Sequence, residues 1–219
     1  MKIAMLGESG VGKTCILDRY VSDAFNEFTD LTKGASFKAK SLKSQDERIE
    51  IKQMLWDTAG QEIYRSLAPF YYKDADAVIV VYDITNEKSF EALAYWIGEV
   101  KQNGSPECSL TIAGNKCDCV DAEKVDANMA RDFAKNEKAG FFLTSAKDNL
   151  NIREMFVDIA MRKFEKLRKD FGYKDEKEAK STINSEIIVK KPVEKDNKFK
   201  LDTGTHAKTS EMKKKKKCC

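Results

Sequence analysis

A glycine-rich stretch near the start of the chain has residue types and spacing suited to holding phosphates. Residues 7–14 read GESGVGKT, after an apolar run and before a segment of helical period. Glycines let consecutive backbone N–H groups curl around phosphate oxygens, and the start of a helix adds a favourable dipole. Lys13 would place its charge on the phosphates, and Thr14 would hold Mg²⁺. The alternative is a plain glycine-rich turn, which the agreement of spacing, residue types and flanking elements disfavours.

Two later stretches would select the base. Residues 115–118, NKCD, end a strand-like run, and Asp118 could accept hydrogen bonds from the N1 and N2 donors of guanine. Adenine lacks this donor pair and would leave the carboxylate unpaired, which predicts GTP rather than ATP. Residues 144–147, TSAK, end another run, and the small Ser145 and Ala146 would let a backbone N–H approach guanine O6. Taken alone, either stretch could be a surface turn.

A further stretch would act on the terminal phosphate. Residues 56–62 read WDTAGQE and also end a strand-like run. This order would place Asp57 near the metal, the N–H of Gly60 at the γ-phosphate, and Gln61 beside the attacking water. A plain turn capped by the aspartate is the alternative.

The hydrophobic pattern predicts the elements that would bring these stretches together. Helical segments start near Lys13, Lys88, Glu123 and Asn151, and they alternate with strand-like runs. The runs are KIAMLG, ASFKAKSL, RIEIKQMLW, ADAVIVVYD, SLTIAGN and GFFLTS. Such alternation predicts an α/β fold with a mostly parallel sheet. The second and third runs are joined by the polar SQDER without room for a helix, which predicts one antiparallel edge hairpin.

Length and charge predict one domain with a basic appendage. The chain has 219 residues, 42% of them hydrophobic. Residues 171–219 carry 14 lysines and 8 acidic residues, a net charge of +6, whereas residues 1–170 carry 25 basic and 28 acidic residues. A body of net charge −3 offers no basic face for nucleic acid. After residue 170 no hydrophobic period persists, which predicts a flexible tether.

Other composition features exclude several protein classes. There is no run of 18 apolar residues and no signal peptide, so we expect a protein of the cytosol. The six cysteines form no repeating framework and only one histidine is present. This disfavours a disulfide scaffold and a zinc site.

In their order along the chain, GESGVGKT, WDTAGQE, NKCD and TSAK resemble the motifs of the Ras superfamily of small GTPases, over residues 1–170. SLAPFYYKDADAVIVVYDITNEKSF and two terminal cysteines look like the Rab family of membrane-traffic GTPases, closest to its early-endosomal branch. The resemblance implies a P-loop G domain whose six-stranded, mostly parallel sheet has one antiparallel edge hairpin and helices on both faces. It also implies hydrolysis of GTP to GDP and phosphate, with Mg²⁺ as cofactor.

Carried over by position, the resemblance assigns roles to individual residues. It implies a catalytic Gln61, a metal site formed by Thr14, Thr32 and Asp57, and a Phe25 ring against the edge of the base. The implied nucleotide-binding residues are Ser9, Gly10, Val11, Gly12, Lys13, Thr14, Cys15, Phe25, Thr32, Gly60, Asn115, Lys116, Asp118, Ser145, Ala146 and Lys147.

Two positions depart from the family pattern. Lys33 stands where the residue after the switch threonine is usually apolar, and Ile63 stands where most relatives carry arginine. No arginine is evident as a built-in catalytic group, so the resemblance implies slow hydrolysis and a timed switch in which the γ-phosphate orders Thr32 and residues 57–72. One alternative is a GTP-binding scaffold with little hydrolysis, which Lys33 favours and Gln61 disfavours. Another is a P-loop kinase or ATPase, which NKCD disfavours.

The end of the tail, taken with the resemblance, predicts attachment to a membrane. Cys218 and Cys219 match the family's site for two geranylgeranyl groups, and the five lysines at 213–217 would attract an anionic cytoplasmic leaflet. A solvated charge run, a nuclear import signal and a redox pair are the rival interpretations. The implied partners are effectors, an exchange factor, a GTPase-activating protein, a GDP-dissociation inhibitor and a Rab escort protein. We expect a monomer that regulates vesicular, endocytic traffic on the cytoplasmic face of intracellular membranes, at the early endosome, with a cytosolic pool.

Overall fold

The computed structural model describes residues 1–27, 32, 34–43, 50–60 and 68–170, with side chains to residue 167. One six-stranded sheet has the order β2-β3-β1-β4-β5-β6, and only β2 and β3 pair antiparallel. The strands are β1 Lys2–Leu6, β2 Ala35–Lys43, β3 Glu50–Thr58, β4 Ala77–Asp83, β5 Ser109–Asn115 and β6 Gly140–Leu143. The predicted fold class is confirmed, although the SQDER turn lies outside the described residues.

Six α-helices and one short 3₁₀ helix, Val120–Ala122, are described, and the starts of the α-helices differ in part from the prediction. The α-helices are α1 Lys13–Ser22, α2 Ala68–Tyr72, α3 Glu87–Glu91, α4 Leu93–Asn103, α5 Ala127–Asn136 and α6 Ile152–Asp170. The helix expected from Lys88 is divided into α3 and α4 at Ala92. The helix expected near Glu123 begins at Ala127, because the Asp126 side chain accepts hydrogen bonds from two N–H groups of the first turn. Helix α2 was not predicted.

The core is divided between the two faces of the sheet. Strand β4 is buried at every residue, so it shows an unbroken apolar run rather than an alternating pattern. Its Val78 and Val80 join the cluster that includes α2, α4 and α5, whereas Ile79 and Val81 join the cluster that includes α1 and α6. Helices therefore cover both faces. In the part of the chain that the structure describes, no helix combines the length and apolar character needed to cross a membrane.

The parallel strands end at one edge of the sheet. Asp83 at the end of β4 is level with Asn115 at the end of β5, and Gly114 is level with Leu143 at the end of β6. In open α/β sheets, ligands bind outside this carboxyl edge. The loops that carry the sequence motifs therefore meet at one place.

Candidate functional site

A cavity of about 200 Å³ opens at this edge of the sheet. Its walls come from the loops after β1, β3, β5 and β6, from the start of α1, and from the segment after α1. It is lined by Ser9, Gly10, Gly12, Lys13, Thr14, Cys15, Phe25, Asn26, Glu27, Thr32, Thr58, Gly60, Asn115, Lys116, Asp118, Cys119, Ala146 and Lys147. Four stretches that are far apart in the sequence thus form one site.

The loop between β1 and α1 is closed by the side chain of Lys13. Its ammonium donates to the carbonyl oxygens of Gly7 at 2.7 Å and Glu8 at 2.8 Å. The lysine is buried, and this burial lowers its pKa to about 8, against the opposing effects of Asp57 and Glu8. A charged group held with so little water gains strongly from a phosphate oxygen.

Two glycines allow backbones to approach closely at this end. Gly12 has a φ of 94°, and a Cβ there would lie 2.3 Å from the Asn115 side-chain nitrogen. A Cβ on Gly60 would lie 2.4 Å from the backbone carbon of Glu8, so the loop after β3 packs directly against the loop after β1. Any side chain at these positions would displace one of the two loops.

The residues predicted to hold a metal lie together. The Thr14 hydroxyl donates to Asp57 Oδ2 at 2.7 Å and lies 2.8 Å from the Thr32 hydroxyl. Asp57 is buried, its Oδ1 has no hydrogen-bond partner among the described residues, and burial raises its pKa despite the nearby Thr14 and Lys13. A buried carboxylate oxygen without a partner is a strong acceptor for a cation.

This donor set fits Mg²⁺ bound together with a nucleotide. Mg²⁺ prefers oxygen ligands and is usually held by one or two carboxylates plus substrate phosphates, with several waters retained. Within the described residues, no group of three or more His, Cys, Asp or Glu side chains could hold a metal. Thr14, Thr32 and Asp57 together supply hydroxyl and carboxylate oxygens beside the phosphate loop. A site of this kind depends on oxygens that the nucleotide contributes.

The opposite end of the cavity is fixed by hydrogen bonds within the protein. The Ser145 hydroxyl donates to Asp118 Oδ1 at 2.6 Å and accepts from the Asp148 N–H at 2.9 Å. Asn115 Nδ2 donates to the carbonyl of Val11 at 2.8 Å, which ties the loop after β5 to the phosphate loop. Asp118 thus keeps Oδ2 for further contacts, one of which comes from the Cys119 thiol at 3.5 Å.

Lys116 is positioned by a carboxylate from the neighbouring strand. It has a φ of 65°, in the left-handed region, and its ammonium lies 2.7 Å from Asp83 Oδ2. Asp83 is buried, and its other oxygen accepts from the N–H and hydroxyl of Thr85. This largely buried ion pair holds the Lys116 side chain in the cavity lining.

The structure brings most of the predicted residues to the cavity. Val11, Asp57 and Ser145 do not line it but hydrogen-bond or support residues that do. Asn26, Glu27, Thr58 and Cys119 line it without having been predicted, and no pattern in the sequence distinguishes them. The catalytic glutamine predicted at position 61, the departures at 33 and 63, and the two terminal cysteines lie outside the described residues.

Comparison with known proteins gives the same family as the motifs. A family model described as the Ras family matches residues 2–165. The chain is 45% identical to "Ras-related protein Rab-22A" of Homo sapiens over 162 residues, covering 74% of this chain and 82% of that protein. It is 43% identical over 161 residues to "Ras-related protein RABF2a" of Arabidopsis thaliana and to "Ras-related protein Rab5A" of Oryza sativa subsp. japonica, which cover 74% of this chain. The matches cover 80% and 78% of those two proteins.

Proposed function

This chain belongs to the Ras family of small GTPases, within its Rab group and closest to the early-endosomal branch, and on that premise we propose a membrane-anchored switch that hydrolyses GTP slowly. As a member of this family it is a GTPase that binds GTP and GDP and responds to regulators and effectors in vesicle traffic. Membrane anchoring, the slow rate, and the role of each residue are the proposed parts.

The observation that carries the proposal is a single cavity with two chemically different ends. One end has the buried ammonium of Lys13 beside the carboxylate of Asp57, and the other has a carboxylate, Asp118, oriented by Ser145. A cation and a metal-binding carboxylate suit the phosphates, and an oriented acceptor suits the N1 and N2 donors of guanine. A guanine nucleotide has these groups at its two ends.

The residues have separate tasks in the proposed reaction. Lys13 holds phosphate oxygens, and Thr14 and Thr32 present hydroxyl oxygens. Asp57 accepts a hydrogen bond from the Thr14 hydroxyl and thereby supports the metal site. Mg²⁺, when bound, neutralises charge on the β- and γ-phosphates. Gln61 would orient the attacking water, and the Gly60 N–H would meet the γ-phosphate. Phosphoryl transfer needs positioning and charge neutralisation more than covalent catalysis.

Effectors are proposed to recognise the GTP-bound state at a surface next to the residues of the metal site. Thr32 is three residues before β2, whose Phe37 is half exposed. The Phe37 ring packs edge-on against Trp56 with centroids 5.2 Å apart, and Trp56 lies 5.6 Å from Tyr71. An aromatic cluster with one exposed ring suits partner binding. A γ-phosphate that holds Thr32 would thereby bias the surface that effectors contact.

Residues 171–219 are proposed to attach the G domain of residues 1–170 to membranes. Two geranylgeranyl groups on Cys218 and Cys219 would give stable anchoring, and five lysines would each add about 1 kcal/mol of attraction to an anionic leaflet. A Rab escort protein would present the cysteines for prenylation, and a GDP-dissociation inhibitor would maintain the cytosolic pool. Endosomal membranes are the proposed location.

Two measurements test the proposal. Single-turnover hydrolysis of bound GTP should be slow but complete, whereas a scaffold would retain GTP over the same period. Fractionation of cells that express the full chain should move Cys218→Ser with Cys219→Ser into the cytosol, with nucleotide affinity unchanged. Replacement of residues 213–217 by glutamine is the matched control, and it should weaken or redirect membrane binding without abolishing it. A double-serine variant that stays on membranes would refute the lipid anchor.

A further inference from the structure

Arg19, on α1, joins two parts of the chain that are far apart in the sequence. Its Nε donates to the carbonyl of Ala146 at 2.8 Å, and a terminal nitrogen donates to the carbonyl of Lys147 at 3.1 Å. The other terminal nitrogen donates to the backbone oxygen of Asp23 at 2.8 Å and to its carboxylate at 2.9 Å. The guanidinium thus has four acceptors, two on Asp23 in the next turn and two on residues that are 127 and 128 positions away in the sequence.

This contact lies against the base end of the cavity. Ala146 and Lys147 line the cavity, as does Phe25, whose ring centroid is 6.0 Å from the Arg19 guanidinium carbon. The Arg19 side chain is only 15% exposed, although its partner Asp23 is 76% exposed. An exposed ion pair alone would contribute little, whereas a mostly buried guanidinium on two backbone carbonyls restricts the loop.

In the loop after β6, two N–H groups lie between two others that already donate to acceptors within the loop. The N–H of Ser145 donates to the carbonyl of Leu150 at 3.1 Å, and the N–H of Asp148 donates to the Ser145 hydroxyl at 2.9 Å. The two N–H groups between them belong to Ala146 and Lys147. Because a peptide unit is planar and trans, a hydrogen bond to the Ala146 carbonyl directs the Lys147 N–H to the opposite side, away from Arg19.

We propose that Arg19 is a positioning residue for the base: by holding the peptide unit that joins Ala146 to Lys147, it directs the Lys147 N–H toward the oxygen at C6 of a purine. This inference rests on the proposed binding of a guanine nucleotide. Under this proposal, different residues orient the protein groups that contact the two edges of the base. Ser145 orients Asp118 for the N1 and N2 edge, and Arg19 orients the loop for the C6 oxygen.

The test measures which part of the base a substitution affects. GDP, inosine diphosphate, which lacks the 2-amino group, and 2-aminopurine riboside diphosphate, which lacks the C6 oxygen, are titrated into the full chain freed of nucleotide. Arg19→Gln should weaken GDP and inosine diphosphate equally, by about 3- to 10-fold for one hydrogen bond made poorly, and leave the 2-aminopurine nucleotide within about 2-fold. Arg19→Lys should give an intermediate loss.

Two control variants separate positioning from charge. Arg131→Gln removes an arginine of α5 that contacts Asn128 and the Phe141 ring, and it should change none of the three affinities. Asp23→Asn removes the charge of the exposed ion pair but keeps the backbone acceptor for Arg19. If it reproduces the selective loss, the ion pair rather than the loop contact is responsible and the proposal fails.

Other outcomes would show that Arg19 does not position the loop. An equal loss for all three nucleotides would overturn it, because that is the result of general destabilisation. Unchanged affinities would overturn it as well. If Arg19→Gln does not fold, Arg19→Lys carries the same comparison. A wild-type protein that binds ADP as tightly as GDP would instead refute the proposed function, so the two failures are distinguishable.

Discussion

The two ends of the cavity differ in how their charged groups are satisfied. At the base end, Asp118 accepts from Ser145 and Lys116 pairs with Asp83, so each charge has a partner within the protein. At the phosphate end, burial lowers the pKa of Lys13 to about 8 and raises the pKa of Asp57. Both shifts mean that the folded protein disfavours the charged forms that ligand binding requires.

The two ends therefore contribute to binding in different ways. The base end is preorganised, so its hydrogen bonds support the fold as well as the ligand. The phosphate end holds desolvated charges that gain most when phosphate and metal are bound. Substitutions that remove a hydrogen bond within the base end should therefore reduce affinity and stability together, whereas those at the phosphate end should reduce affinity with little loss of stability.

The largest effect is expected for Lys13→Met. The variant loses two charge-assisted hydrogen bonds to phosphate. At 1.5–3 kcal/mol each, their loss corresponds to roughly 10²–10⁴-fold weaker GDP binding. The thermal unfolding of the nucleotide-free protein should change little, because the lost bonds to Gly7 and Glu8 are offset by removal of a desolvated charge. Calorimetry with Lys101→Met, an exposed lysine paired with Glu137, is the control. A loss of GDP affinity below about tenfold would contradict the proposed difference between the two ends of the cavity.

A second prediction concerns the carboxylate at the base end. Asp118→Asn should weaken GDP by about 10³-fold and shift preference toward xanthosine diphosphate, because an amide complements the oxygen at C2 of xanthine. The substituted side chain keeps an oxygen that can accept from Ser145, so the loop itself should hold. Competition between the two nucleotides measures the shift, and a variant that still prefers GDP would show that Asp118 does not contact the base.

A smaller effect, on rate rather than affinity, is expected for Gln61→Leu. Leucine cannot orient water or donate to the developing charge, so hydrolysis of bound GTP should slow by about 10- to 100-fold. The GDP affinity should not change. Single-turnover assays on the wild type and the variant test this, and equal rates would mean that another group positions the water.

The smallest expected effect is on stability, and it compares one substitution at each end of the cavity. Asn115→Ala removes buried hydrogen bonds to Val11 and from Thr144, and should lower the free energy of unfolding of the nucleotide-free protein by about 1–3 kcal/mol. Asp57→Asn should leave that free energy unchanged or raise it, because burial disfavours the charge there. It should nevertheless remove the effect of Mg²⁺ on nucleotide release. Equal destabilisation by both would contradict the difference between the ends.

The sheet could be predicted because its strands have a strong local signal. The buried run of β4 and the polar break between β2 and β3 were enough to indicate a parallel sheet with one antiparallel hairpin. Helix starts were less reliable, since the cap at Asp126 outweighs the apolar period that precedes it. The break at Ala92 and the five-residue α2 depend on tertiary packing that no local period reveals.

The site was predictable where residue type and spacing carry the chemistry, as at Lys13, Thr14 and Asp118. The supporting residues were not. An arginine on a half-exposed helix such as Arg19 is typical of a solvated face, and its partners in the loop after β6 lie 127 and 128 residues away. In the sequence, Asp83 is recognisable only as the last residue of a strand. The register of β4 and β5 places it beside Lys116. Long-range pairing of this kind follows from the fold and leaves no local pattern.

The proposed function requires one cavity that binds guanine at one end and phosphates at the other. Its most direct test is calorimetric titration of the nucleotide-free wild-type chain with GDP and with ADP, each with Mg²⁺ present. We expect GDP to bind more tightly by about 10⁴-fold, because adenine lacks the N1 and N2 donors and would leave Asp118 desolvated without the hydrogen bonds that guanine supplies. Equal affinities for the two nucleotides would contradict it.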